Sequence, residues 1–174
     1  MSVKPLTNLY IIGPMGAGKT TVGKALASFL HMDFLDSDQE LERTTGVDIQ
    51  TIFDLEGEAG FRRREQKIIS HLTAKRNLVM ATGGGTILLA ENRKALRKSG
   101  TVIYLAATVE MQLNRTRYST HRPLLQNENP QQLLETLMAE REPLYLQEAD
   151  ITVATGNQSS RNVAREIMLR LGTQ

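Results

Sequence analysis

The sequence predicts an α/β fold of three layers, a five-stranded parallel sheet flanked by helices. Short apolar runs rich in Ile, Val, Leu and Tyr alternate with longer stretches of helical period, the pattern of strands joined by crossover helices. Each run is brief and continuously apolar, as strands covered on both faces are. The first run leads straight into a glycine-rich turn and then a helix-forming stretch. At 174 residues the chain suits a single domain over 1–174, large enough to bury a real core.

The strands are expected at 9–12, 34–36, 78–81, 102–105 and 151–154. A first helix starts inside the glycine turn and runs to about residue 30, because Val22, Ala25, Leu26, Phe29 and Leu30 share one face. Ser37 and Glu40 have capping-box spacing, so a second helix begins after the second strand. Stretches 48–56 and 58–73 are also helical, with Gly57 free to make the left-handed turn between them. About forty residues of helix thus separate two strands, more than a crossover needs, and 37–65 becomes a candidate substrate cover. Basic residues 93–98 alternate with Ala95 and Leu96 as on a solvated helix, and 109–117 forms another. Segment 118–130 is polar, carries two prolines and lacks any period, so it reads as a long flexible loop; Asn129 and Pro130 then restart a helix.

Composition narrows the function classes. Apolar residues make up 40% and charged residues 23%, and no apolar run approaches the roughly 18 residues of a membrane span. Net charge is only +2, and four Phe, four Tyr and no Trp offer little for stacking bases, so neither a membrane nor a nucleic-acid partner is expected. The absence of cysteine removes disulfides and thiolate zinc sites, and the start MSVKPLTN lacks the apolar stretch of a secretory signal. The expectation is a cytoplasmic monomer.

The chemistry is carried by Gly13-Pro14-Met15-Gly16-Ala17-Gly18-Lys19-Thr20, which fits G-x-x-x-x-G-K-[ST] between a strand and a helix. In such a P-loop the backbone N–H groups and the positive helix end converge on phosphate oxygens. Gly13, Met15, Gly16, Ala17, Gly18, Lys19, Thr20 and Thr21 are therefore the candidate nucleotide-binding residues. Lys19 reaches the β- and γ-phosphates of ATP, and the Thr20 hydroxyl ligates Mg2+.

No acidic residue ends the third strand, which closes instead on Gly83-Gly84-Gly85 and lets another molecule approach the backbone. The carboxylates end the second strand, in Asp36-Ser37-Asp38. Ligands of an open parallel sheet gather at strand carboxyl ends, so these segments should border the phosphate site. Asp36 would hold metal-bound water, and Asp38 would orient an attacking hydroxyl and take its proton. A plainer reading leaves Asp38 as negative charge in the first turn of a helix.

Beyond the P-loop, in five segments taken in order, the chain resembles the shikimate kinases: Asp36-Ser37-Asp38, Phe61-Arg62, the triple glycine, Arg122-Pro123-Leu124-Leu125, and Arg141 with Pro143-Leu144-Tyr145. The likeness runs from about residue 8 to residue 170. It implies a P-loop kinase fold like that of the nucleoside monophosphate kinases, a substrate-binding segment at 37–65, a lid at 117–129, and phosphorylation of shikimate by ATP. By resemblance, Asp38 is base and binds the substrate hydroxyls, Arg62 and Arg141 hold its carboxylate, Gly83, Gly84 and Gly85 approach it, and Phe53 and Phe61 wall its ring. The two phenylalanines read equally well as helical core. Arg122 would close with the lid onto the transferring phosphate, Arg115 would stack on adenine unless it is simply a solvated helix residue, and Gln158 lies where the adenine edge is expected. The segment 155–159 departs from the family pattern.

Two alternatives stay open at this point. One keeps the phosphotransfer but changes the acceptor, to gluconate or a nucleoside monophosphate. The other is a GTPase switch, suggested by the D-x-x-G spelled at Asp54-Leu55-Glu56-Gly57, although the chain has no N-K-x-D to read guanine.

Overall fold

The computed structural model describes residues 7–117 and 129–172. Of the expected lid only its two end residues fall within that range, and Arg122 lies outside it. Five parallel strands, β1 (Asn8–Ile12), β2 (Asp33–Asp36), β3 (Leu78–Ala81), β4 (Gly100–Ala106) and β5 (Ile151–Ala154), pair in the order β2-β3-β1-β4-β5. Among the described residues seven α-helices accompany them: α1 (Lys19–Leu30), α2 (Ser37–Thr45), α3 (Ile49–Thr73), α4 (Ala90–Ser99), α5 (Val109–Thr116), α6 (Pro130–Glu148) and α7 (Ser160–Leu171). All five expected strands are present, with ends moved by at most two residues.

The continuous apolar strands have a simple cause. Successive side chains point to opposite faces, and both faces are covered. Leu9, Ile11, Val79 and Ile103 face a core completed by Val22 and Leu26 of α1 and by Val163 and Ile167 of α7. Tyr10, Ile12, Met80 and Tyr104 face a second core with Ile69 and Leu72 of α3, Leu96 of α4 and Tyr145 of α6. Each such side chain, once buried, contributes about 1.5–3 kcal/mol against unfolding.

Helix starts differ in a way that matters for the site. Asp36, Asp48, Thr108, Asn129 and Ser159 each cap a helix with a side-chain oxygen, whereas α1 begins at Gly18 with no side-chain cap. The expected capping box at Ser37 is displaced by one residue. Asp36, still extended at φ −109°, accepts from the N–H groups of Asp38 and Gln39, and Ser37 is already the first helical residue. Helix α3 is broken where expected: Gly57 stands between two helical stretches in a non-helical conformation, at φ 70° and ψ −177°. The D-x-x-G sequence thus lies inside a helix, away from any strand end.

The solvated reading of 93–98 is corrected in part. Arg93 and Arg97 of α4 turn back onto the buried Glu148 at the end of α6, at 3.6 and 3.0 Å. Arg93 also donates to the carbonyls of Ile87 and Leu88, in the short 3-10 turn Thr86–Leu88 that follows the triple glycine. Among the described residues no helix is long and apolar enough to cross a membrane.

Candidate active site

The carboxyl ends of β1, β2 and β3 open on one cleft of about 610 Å³. Its first wall is the P-loop. Gly13, Gly16 and Gly18 take positive φ, and the turn delivers the uncapped first turn of α1 to the cleft. Donors left open at a helix start, with the dipole behind them, suit an anion. The Lys19 ammonium donates to the carbonyls of Gly13 and Pro14, both at 2.8 Å, and is held within the loop's curve. Met15, Gly16, Gly18, Lys19, Thr20 and Thr21 line the cleft, while Gly13 and Ala17 are buried behind it.

Thr20 and Asp36 meet at the floor, where the Thr20 hydroxyl donates to Asp36 Oδ2 at 2.6 Å. The other Asp36 oxygen is committed to capping α2. One hydroxyl and one carboxylate oxygen form a hard, sparse donor set, which fits Mg2+ completed by waters and substrate phosphates. Among the described residues no cluster of three or more His, Cys, Asp or Glu offers a different metal site.

The opposite wall comes from four separate segments. Asp38 borders the cleft with its carboxyl enclosed by protein, and its pKa is pushed up to about 7. Burial is the main cause, followed by the neighbouring carboxylates of Glu65 and Asp36; Lys19 and Arg62 pull the other way. Gly83 makes this crowding possible, since a Cβ there would sit 2.8 Å from Asp38 Oδ1. Gly85 gives the same room to Arg62, whose guanidinium would overlap any side chain at that position.

Arg62 is tied at 2.9 Å to Glu65, which is 1% exposed and also accepts the Thr86 hydroxyl at 2.9 Å. Arg141 reaches the cleft from α6 and is itself buried. Among the described residues the Nε atoms of both arginines are buried without a hydrogen-bond partner, an arrangement that an incoming anion would relieve. Phe53 and Phe61 line the cleft, with ring centroids 4.9 Å apart, and also pack with the core.

Arg115 is exposed but not loose. It donates to the carbonyls of Gly16, Ala17 and Gly156 and to the Thr155 hydroxyl, clamping the P-loop to the turn after β5. Gln158, two residues beyond that turn, is exposed and outside the cleft lining.

Sequence reasoning passed over Glu65 and gave Tyr145 no role. Glu65 lies three residues after Arg62, and Tyr145 four after Arg141, so helical spacing puts each on the face of an arginine already singled out. Ser37 was read as a cap; its hydroxyl instead accepts the Gly83 N–H, joining the start of α2 to the triple glycine.

Comparison with known proteins agrees with this geometry. The family model described as shikimate kinase matches residues 15–172. A shikimate kinase from Methylococcus capsulatus is 56% identical over 92% of this chain and 90% of its own length, and one from Alteromonas mediterranea is 52% identical over 95% and 96%. A solved structure of shikimate kinase from Acinetobacter baumannii in complex with shikimate superposes with a TM-score of 0.94, at 50% identity, covering 96% of this chain and 94% of that one. With a phosphate-binding loop and two guanidinium groups facing each other across one cleft, and with matches of this extent, the chain belongs to the shikimate kinase family.

Proposed function

We propose that this enzyme transfers the γ-phosphoryl group of ATP to the 3-hydroxyl of shikimate, giving ADP and shikimate 3-phosphate on the route to chorismate. One observation carries the reading: Lys19, Asp38, Arg62 and Arg141, from four distant parts of the chain, line a single cleft. ATP lies with its phosphates on the P-loop and the start of α1. Shikimate lies against segment 37–65 and the triple glycine, its carboxylate between the guanidiniums of Arg62 and Arg141, its ring beside Phe53 and Phe61.

Asp38 takes the proton of the 3-hydroxyl as that oxygen closes on the γ-phosphorus and the bond to the β–γ bridging oxygen breaks, leaving ADP. A carboxyl group titrating near neutrality is well suited to this, being ionised in a large fraction of molecules yet basic enough to accept the proton. Lys19 meets the charge on the transferring group. Thr20 and Asp36 would hold Mg2+, which supplies charge neutralisation on the β- and γ-phosphates. By resemblance alone, Arg122 adds a second cation from the lid segment 117–129, Gln158 sits at the base, and the enzyme works in the cytoplasm. Every other named group comes from one chain, so a monomer suffices.

The test is turnover of the purified protein with ATP and a panel of shikimate, gluconate and nucleoside monophosphates. Phosphorylation confined to shikimate is expected. Brisk turnover of gluconate with none of shikimate would end the proposal.

A further inference from the structure

Behind the triple glycine, one hydrogen bond connects α6 to the acceptor wall: the Tyr145 hydroxyl donates to the Gly84 carbonyl. We infer that Tyr145 is a positioning residue for acceptor binding, acting through the Gly84–Gly85 peptide. This rests on the reading of the cleft as a shikimate site.

In a trans peptide the C=O of one residue and the N–H of the next point in opposite directions in one plane. Holding the Gly84 carbonyl toward α6 therefore turns the Gly85 N–H the other way, off the side that Tyr145 occupies. The rest of the turn is pinned separately. Gly83 N–H is accepted by Ser37, the carbonyls of Gly83 and Gly85 accept from Thr86 and Leu88, and Asn92 donates to the Thr86 carbonyl. Among the described residues the N–H groups of Gly84 and Gly85 donate no hydrogen bond, so both remain for a ligand. Glycine has the widest choice of backbone angles, and a peptide between two glycines keeps its orientation only if something grips it.

Tyr145 is built to grip. It is 1% exposed, its ring stacks on Tyr104 with centroids 5.0 Å apart, and α6 carries it one turn beyond Arg141. Burial also holds the phenol well above the usual tyrosine range, so the hydroxyl stays a proton donor at every working pH. The same helix ends on Glu148, which anchors Arg93, and Arg93 in turn holds the carbonyls of Ile87 and Leu88.

The experiment compares steady-state kinetics and melting of wild type, Tyr145→Phe and Tyr104→Phe. Tyr145→Phe keeps the stacked ring and removes only the donor. The KM for shikimate should rise about fivefold, the loss expected for one neutral hydrogen bond, while the KM for ATP stays within twofold. Tyr104→Phe, which deletes a hydroxyl that makes no bond to the glycines, should leave both KM values unchanged. A Tyr145→Phe enzyme whose KM for shikimate stays within twofold of wild type, or a Tyr104→Phe enzyme with an equal rise, overturns the positioning role. Wild-type protein that fails to phosphorylate shikimate at all overturns the reading of the site beneath it.

Discussion

The two walls of the cleft are built on different plans. The nucleotide wall is nearly one stretch of chain, 13–21, whose candidate ligands are mostly backbone N–H groups and a helix end. The acceptor wall is gathered from β2–α2, α3, the turn after β3 and α6, and its ligands are charged side chains held by one another. A backbone cradle can be encoded locally because local dihedrals make it. A selective pocket for a small acid needs groups that approach from several directions, and only the fold brings those together.

This contrast can be broken most directly at Lys19, the cation of the nucleotide wall. Lys19→Met should lower kcat/KM by at least about a thousandfold, as loss of a preorganised charge at a transition state does. Measurable activity within tenfold of wild type would show that the backbone alone suffices.

Asp38→Asn comes next. It should cut kcat by about 10²–10⁴-fold while ATP affinity, measured by fluorescence titration, changes less than threefold. A near-normal kcat would reduce Asp38 to a positioning group. In wild type the base must be ionised, so kcat/KM should fall about tenfold per pH unit below a pKa of about 7 and level off above it.

The same shift makes a stability prediction of known sign. The folded-state pKa lies above the ordinary carboxyl value of 3.8, so between those values the native state binds more protons than the unfolded one, and stability falls as pH rises through that window. Asp38→Asn should therefore raise Tm at pH 8, with the gain shrinking toward pH 4. A gain independent of pH would remove desolvation of the carboxylate as its cause.

Arg141→Lys sharpens the acceptor side. An ammonium keeps the charge but loses the fork, and the KM for shikimate should rise by about 10- to 100-fold with the KM for ATP little changed. An unaltered KM for shikimate would place the carboxylate elsewhere.

The smallest effect on chemistry is expected at Gly57, where a methyl group would meet nothing within 4 Å. Its backbone, at φ 70° and ψ −177°, is one that glycine alone adopts easily, so Gly57→Ala should cost about 1–3 kcal/mol in denaturant unfolding without a clash. A neutral substitution would mean that the kink in α3 tolerates an ordinary helical path.

Much of this could be read in advance. The central strands β1, β3 and β4 were legible because burial on both faces leaves them nearly all apolar, and the breaks at Gly57 and Asn129 because glycine permits a positive φ and an Asn-Pro pair favours a helix start. The cap of α2 was misplaced by one residue, since Asp36 and Ser37 are both good caps and only the extended backbone of Asp36 chooses between them. The solvated reading of Arg93 and Arg97 missed a partner that lies more than fifty residues away, on another helix. Gln158, named only by analogy with a segment that departs from the family pattern, stays outside the cleft lining.

What the chain determined without its fold is whatever depends on neighbouring residues: the phosphate loop, the strand edges, the helix starts. Tertiary structure alone decided that Thr86 of the turn after β3 donates to Glu65, that Tyr145 grips Gly84, and that burial pushes Asp38 up to about 7. Desolvation and Coulomb interaction depend on distance through space, and sequence separation carries no record of that distance until the sheet has brought the strand ends together.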